Sequence, residues 1–288
     1  MTPNAGRLLQ RYGVDKVIGD DLVRFEELNM RRKDGTKVGY TPISRVEKSL
    51  GHPWWLVHRH HLHNGLVTVA RERGVTIHTN SRVASFDYQS DSSVKAKTEK
   101  GAEYNFDLLI GADGVGSIVR RTLFPSVKPA PPTGNCAYRA IVPYSQIRAD
   151  PTLRELVNKL TMEVWMAPKA YIISYPISAG QDFNMVLSHH RDELVTSVQE
   201  IDMQDLRDEY KDFDPRIAKI VNMVPNAQRW PLLVTGPLES WSSPQKNVVL
   251  MGDAAHSMVN HMVRSSSPVH VLRSPLSRLS IHQTEARS

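Results

Sequence analysis

The sequence predicts an α/β fold with a β-rich domain inserted into it, and three observations carry that expectation. The first is the string Leu108-Leu109-Ile110-Gly111-Ala112-Asp113-Gly114-Val115-Gly116-Ser117-Ile118-Val119-Arg120, an apolar run that enters a Gly-rich turn and then a basic helix start. The second is Val248-Val249-Leu250-Met251-Gly252-Asp253-Ala254-Ala255-His256, which repeats the logic near the other end. The third is a group of four closely spaced β-type segments lying between them. Two buried strands, each ending in a small-residue turn that carries one aspartate, suggest neighbouring ends of a parallel sheet converging on a ligand with phosphate and sugar.

Taken in order, Asn4 to Tyr12 reads as a short helix, with Leu8 and Leu9 on its apolar side and Gly13 as its C-cap. Leu22 to Thr41 alternates around Lys33-Asp34-Gly35-Thr36, a hairpin signal. Trp54 to Val57 is a short strand, and Arg59 to Arg73 places Leu62, Leu66, Val69 and Ala70 at helical spacing before Gly74. Val75 to His78, Val83 to Tyr88, Val94 to Thr98 and Phe106 to Ile110 are strand candidates. Pro125 to Pro132, with four prolines, reads as a domain crossing. Beyond it Ala137 to Val142, Met162 to Met166, Tyr171 to Ile177 and Phe183 to His189 suggest an antiparallel sheet. Asp205 to Asp212 and Pro215 to Val224 read as helices, and Trp230 to Val234 leads back to the strand Asn247 to Met251.

Composition narrows the function classes. An apolar fraction of 40% and a charged fraction of 23% are those of an ordinary globular protein, and no apolar run reaches the length of a spanning helix. The net charge is +6, but half of that excess sits in the Ser-rich stretch from Met262 to Ser288, and the rest forms no basic stripe. Nucleic acid is therefore not an expected partner. Cys136 is the single cysteine, so no intrachain disulfide or thiolate cluster forms, and no second ligand stands at metal spacing from His256. The opening residues lack the apolar stretch of a secretory signal, and a reducing, cytoplasmic setting is expected.

In the first turn, Asp113 stands at the carboxyl edge of a strand, where open α/β sheets bind ligands. Gly111, Gly114 and Gly116 permit a tight turn and a close backbone approach to phosphate, while Ser117 can cap a helix whose N–H groups favour an anion. Arg120 and Arg121 add positive charge one turn later. The same residues also make an ordinary βα turn with a capping serine. In the second turn, Asp253 can accept hydrogen bonds from two hydroxyls of a ribose or ribitol, and Ala254 and Ala255 leave room for a planar group. Helix capping by Asp253 is the plainer alternative.

These motifs resemble the FAD-dependent aromatic-ring hydroxylases, the flavoprotein monooxygenases of the salicylate hydroxylase type. The family's second fingerprint matches at Asp107 to Arg120 and its third at Gly252 to His256. Val57-His58-Arg59-His60-His61-Leu62 matches the Arg-x-x-Leu of the helix beneath the flavin, and Thr2 to Leu9 matches the segment after the family's first βαβ unit. Tyr138-Arg139 and Tyr175-Pro176 match the substrate domain. The resemblance implies that Arg59 contacts the FAD pyrophosphate or ribose region. It places Asp113 and Gly114 at the turn near the phosphates, and Gly252, Asp253 and Ala254 at the flavin's sugar-alcohol chain. Tyr171 and Tyr175, four apart in one strand, share a face. In the family that face points to the substrate, which makes them the candidate catalytic pair; a half-buried sheet face is the plainer reading. The implied reaction is hydroxylation of a small aromatic or similar molecule by O₂, with NADH or NADPH as reductant.

The implied architecture is an incomplete, Rossmann-like FAD-binding domain formed by residues 1–21, 58–125 and 230–262. An antiparallel β-sheet substrate domain would comprise 22–57 and 126–229, and residues 263–288 would be a disordered or aberrant tail. The family's N-terminal Gly-x-Gly-x-x-Gly unit and its C-terminal helices are absent from the sequence, so the chain is expected to be truncated and impaired. Two other readings stay open: a flavin epoxidase or reductase of the same fold, and a non-catalytic fragment that binds a small molecule or a partner. Substrate identity and oligomeric state do not follow from the sequence.

Overall fold

A computed structural model describes residues 1–88, 93–128 and 132–258, so the expectation for the tail 263–288 lies outside the described residues. The chain opens with α1 (Pro3–Tyr12), α2 (Val14–Ile18), β1 (Val23–Arg24), β2 (Glu27–Arg32), β3 (Lys37–Pro42), α3 (Ile43–Leu50), β4 (Trp55–Leu56) and α4 (Arg59–Glu72). Then come β5 (Val83–Asp87), β6 (Val94–Thr98), β7 (Glu103–Phe106), β8 (Leu109–Gly111) and α5 (Ile118–Leu123). The central part holds β9 (Pro132–Pro143), α6 (Tyr144–Ala149), β10 (Thr161–Ala167), β11 (Ala170–Ile177) and β12 (Asp182–His190). Last are β13 (Gln199–Glu200), α7 (Met203–Tyr210), α8 (Pro215–Asn222), β14 (Gln228–Leu233), β15 (Val248–Leu250) and α9 (Asp253–His256). These elements gather into two compact units: Met1–Ile77 with Pro132–Leu232, and the described residues of His78–Pro131 with those of Leu233–Ser288.

The first unit is built on an eight-stranded sheet in the order β13-β14-β9-β12-β11-β10-β2-β3. Alternation along the central strands sends Tyr138, Leu187, Ile172 and Trp165 to one face, where each is fully buried. That face is covered by α6, α7 and α8 through Tyr144, Ile147, Leu206, Tyr210, Ile217 and Ile220. The hairpin β2–β3 forms where the sequence places it, its turn closed by the Thr36 N–H donating to Asp34 Oδ1 at 2.9 Å. At the other end of this unit, α1, α2 and α4 pack around Leu9, Val14, Ile18, Trp55 and Val69.

Two expectations need correction. The sheet is not wholly antiparallel, because β10 runs parallel to β2. Its register is held from within: Glu163 accepts from Asn29 Nδ2, Arg31 Nε and Thr161 Oγ1, at 2.7, 2.7 and 2.8 Å. Such long-range pairing leaves no mark on local periodicity. Val75 to His78 is not a strand, since it pairs with no described segment and leaves Val75 and Ile77 exposed. Apolar alternation selects a strand only where another backbone is present to complete it.

The second unit contains the antiparallel meander β5-β6-β7 and the parallel pair β15–β8, with Val248, Val249 and Leu250 opposite Leu109, Ile110 and Gly111. Its core joins Phe86, Val94, Ala96, Val119, Val248, Leu250, Ala254 and Ala255. The two aspartate strings therefore lie side by side and point the same way, as their sequence logic requires.

Candidate functional site

Within the second unit, Gly111 is the last residue of β8 and aligns with Leu250, so both turns leave the same end of the strand pair. A β-carbon on Gly111 would come within 2.7 Å of Val119 Cβ, and glycine there lets α5 lie against the strand. Gly252 has φ +60° and ψ −139°, a backbone region that side chains do not tolerate. Gly114, at φ +78°, turns the first loop, and neither Gly114 nor Gly252 has any heavy atom within 4 Å of where a β-carbon would stand.

The carboxylate of Asp113 is committed to its own turn. It accepts from Ser117 Oγ at 2.5 Å and from the N–H groups of Ile118 and Val119 at 2.8 and 3.2 Å, while Ser117 Oγ accepts from Arg120 N at 2.9 Å. The sequence expectation gave those N–H groups to a ligand anion; the chain supplies the anion itself. Arg120 also differs from its expected role as loose positive charge. It is buried, and its guanidinium donates to the carbonyls of Val115 and Ala254, the latter at 2.9 Å. Burial pulls its pKa below the ordinary arginine value, and the nearby Asp113 opposes that fall. Arg120 thus clamps the two turns together, a role that local sequence does not signal because its acceptors are backbone atoms 5 and 134 residues away.

Asp253 is exposed at the start of α9, and its side chain has no hydrogen-bond partner among the described residues. Helix capping is therefore not its role. A free carboxylate beside Gly252, with open space over both glycine turns, fits a hydroxyl-bearing chain such as that of FAD. The methyl of Ala254 lies fully buried in the core, so the small side chain serves packing, and any ligand contact at this residue is made by its backbone. His256 stacks on Trp241 at 5.1 Å between ring centroids.

Within the first unit, Tyr171 and Tyr175 share the sheet face opposite the buried core, with Ile173 between them. One row across that face reads Ile141, Asn184, Tyr175, and the next Arg139, Val186, Ile173, Val164. Burial raises the pKa of the Tyr175 phenol, partly offset by the charges of Arg139 and Arg59 and by the Asn184 amide. The structure therefore brings Arg59, in the first turn of α4, into electrostatic range of the tyrosine face. Arg59 and Arg139 are both exposed, and neither makes an ion pair among the described residues. Tyr175 also packs against the cluster formed by Val23, Phe25, Ile43 and Leu56. The matched pair Tyr138-Arg139 divides: Tyr138 enters the core and Arg139 the open face. Asn184 was not singled out from sequence, although a polar residue alternating with Phe183 and Met185 is the signal that finds it.

Paired strand-end aspartate turns in one unit, and a large sheet with a polar-aromatic open face in another, define a mixed α/β protein of the flavin-binding class. Residues 7–262 match the FAD binding domain family, and the chain belongs to that family. It is 30% identical to the FAD-dependent monooxygenase OpS4 of Beauveria bassiana, over 98% of this chain and 67% of that protein. It is 26% identical to 3-hydroxybenzoate 6-hydroxylase of Polaromonas naphthalenivorans, over 92% and 64%. The crystal structure of CtdE in complex with FAD and substrate superposes with a TM-score of 0.82 at 17% identity, over 93% of this chain and 67% of that one. A salicylate hydroxylase substrate complex superposes with a TM-score of 0.76 at 18% identity, over the same shares. The chain spans about two thirds of the length of the relatives it matches. Its kinship is with FAD-dependent monooxygenases of the aromatic hydroxylase type, and FAD is the family's cofactor. Among the described residues no helix is long and apolar enough to cross a membrane.

Proposed function

We propose that this chain acts in the cytoplasm as an FAD-dependent monooxygenase that hydroxylates a small aromatic molecule, with NADH or NADPH as reductant. The observation that carries the reading is the open sheet face, where Tyr171 and Tyr175 stand and where Arg139 and Arg59, which form no ion pair among the described residues, act on the Tyr175 phenol. When bound, FAD supplies the activation of O₂ and the oxygen transfer. The chain's residues supply position and charge. Asp253 accepts from hydroxyls of the cofactor's sugar-alcohol chain, Arg59 pairs with its pyrophosphate or ribose region, and Gly114, Gly252 and the Ala254 backbone allow close approach. Asp113 keeps the first turn in shape.

On the substrate side, the Tyr175 phenol carries its proton at neutral pH, as an ordinary tyrosine does, and donates a hydrogen bond to an oxygen on the ring. Arg139 favours a negatively charged substituent, and Ile173, Val186 and Val164 supply the apolar floor for the ring. The proposed division of labour gives residues 1–21, 58–125 and 230–262 to the cofactor and 22–57 and 126–229 to the substrate.

The test is to supplement the purified chain with FAD, desalt it and record its spectrum. NAD(P)H oxidation and product formation are then measured with 3-hydroxybenzoate, salicylate and benzoate. About one flavin retained per chain and a ring-hydroxylated product are expected. Retained flavin with an epoxide or a merely reduced product would move the assignment to another reaction of the same fold. Failure to bind either flavin or any aromatic acid would sink it.

A further inference from the structure

A cavity in the first unit belongs neither to the tyrosine face nor to the aspartate turns. It measures about 470 Å³, within the range of roughly 300–1,000 Å³ common for small-molecule sites. It lies between the end of α2, with the turn that follows it, and the β1–β4 ribbon, and its walls include Asp15, Asp20, Leu22, Arg24, Trp55 and Leu160. Arg24 and Trp55 are direct partners in the antiparallel register, so both side chains lie on one face of the ribbon. Asp15 stands in the first turn of α2, which packs against Trp55 through Val14 and Ile18. Asp21 is engaged by His61 at 3.2 Å, but Asp15, Asp20 and Arg24 form no ion pair among the described residues. Asp15 Oδ1 is shielded from solvent and has no hydrogen-bond partner among those residues. A shielded carboxylate oxygen without a donor is costly, and an N–H group on a bound molecule relieves it.

We propose that this cavity binds a zwitterionic amino acid with an apolar side chain. The ammonium donates to Asp15 and Asp20, the carboxylate accepts from Arg24, and the side chain lies against Leu22, Trp55 and Leu160. Charge decides between ligand classes. A simple anion meets Arg24 but is repelled by two carboxylates, and a simple cation answers the carboxylates but is repelled by Arg24. A molecule that carries both charges on neighbouring atoms satisfies all three groups at once. The inference goes beyond the hydroxylase reading and does not depend on it, because no lining residue is among those given contact with FAD or with the aromatic ring.

The experiment is calorimetric titration of the full chain with L-leucine, with 3-methylbutylamine, which lacks its carboxylate, and with 4-methylpentanoate, which lacks its ammonium. All three probes are aliphatic, which keeps them apart from any aromatic-ring site. The wild type, Asp15→Asn and Arg24→Met are compared, with circular dichroism as the check on folding. Asp20→Asn reads the same end of the ligand should Asp15→Asn fail to fold. The wild type is expected to bind leucine at least about tenfold more tightly than either analogue. Asp15→Asn should weaken leucine about tenfold and leave 4-methylpentanoate within about twofold, and Arg24→Met should weaken leucine about tenfold and leave the amine within about twofold. Absence of leucine binding by the wild type, or leucine affinity unchanged in the folded variants, would overturn the proposal. An amine that binds as tightly as leucine would overturn it as well, since the carboxylate would then have no partner.

Discussion

Arg120 shows how a single side chain can hold a functional turn without touching a ligand. It is a buried cation whose guanidinium donates to the carbonyl oxygens of Val115 and Ala254 and forms no ion pair among the described residues. Replacing it by Met removes the clamp and leaves those carbonyls unpaired, which should cost about 2–4 kcal/mol in chemical denaturation. Lysine should recover little of that, because a single ammonium cannot span acceptors that a planar fork reaches together. Asp214 makes a complementary case for pH. Burial alone would raise its pKa, but hydrogen bonds from Arg216 and from Trp165 Nε1, the latter at 3.0 Å, hold it below the ordinary carboxylate value. A group with a depressed folded pKa adds stability that is complete above its unfolded pKa and is lost as pH falls through the folded one. Denaturation of the wild type should therefore show stability falling below about pH 4, whereas Asp214→Asn should start less stable and respond less to acid in that window.

At the scale of elements, the informative pairing is β10 with β2. Glu163 gathers Asn29, Arg31 and Thr161 inside the core, and Arg31 also donates to the Gly35 carbonyl of the hairpin turn at 3.1 Å. Glu163→Gln strands the Arg31 charge and should cost about 3–5 kcal/mol, whereas Glu163→Gln with Arg31→Met should be less destabilised than the single variant. A double variant worse than the single one would remove the ion pair as the register device. This pairing also marks the limit of what the chain discloses before folding. Helices α1 and α4, the hairpin and the strands of the large sheet were legible because their apolar periods and glycine caps are local. The parallel contact between residues more than 130 positions apart was not, since nothing near Glu163 names Arg31. Val75 to His78 shows the converse, a pattern that asks for a partner strand and meets none among the described residues. In the candidate site, the aspartates, glycines and tyrosines were readable as motifs. The clamp by Arg120 and the burial of Ala254 emerge only when strands acquire neighbours.

For the whole molecule, the decisive quantity is whether the folded chain gains free energy from FAD. A ligand that binds only the native state stabilises it by RT ln(1 + [L]/Kd), about 2.7 kcal/mol at a hundredfold excess over Kd. For a chain of this size about 2 °C accompanies each kcal/mol, so saturating FAD should raise the melting temperature by about 5 °C. Asp253 separates that linkage from folding itself. Its side chain is exposed and makes no hydrogen bond among the described residues, so Asp253→Ala should leave the melting temperature without FAD within about 1 °C of wild type. Its loss should nevertheless abolish most of the FAD-dependent rise, because the carboxylate offers hydroxyls an acceptor that the backbone N–H groups around it cannot replace. Gly252→Ala should act in the opposite sense, lowering the FAD-free melting temperature because a side chain is forced into φ +60°, ψ −139° at a cost of about 1–3 kcal/mol. A wild-type melting curve that does not move with FAD would show that the native chain has no differential affinity for it. Equal FAD-dependent rises in wild type and Asp253→Ala would place the cofactor's hydroxyl chain elsewhere than at the second turn.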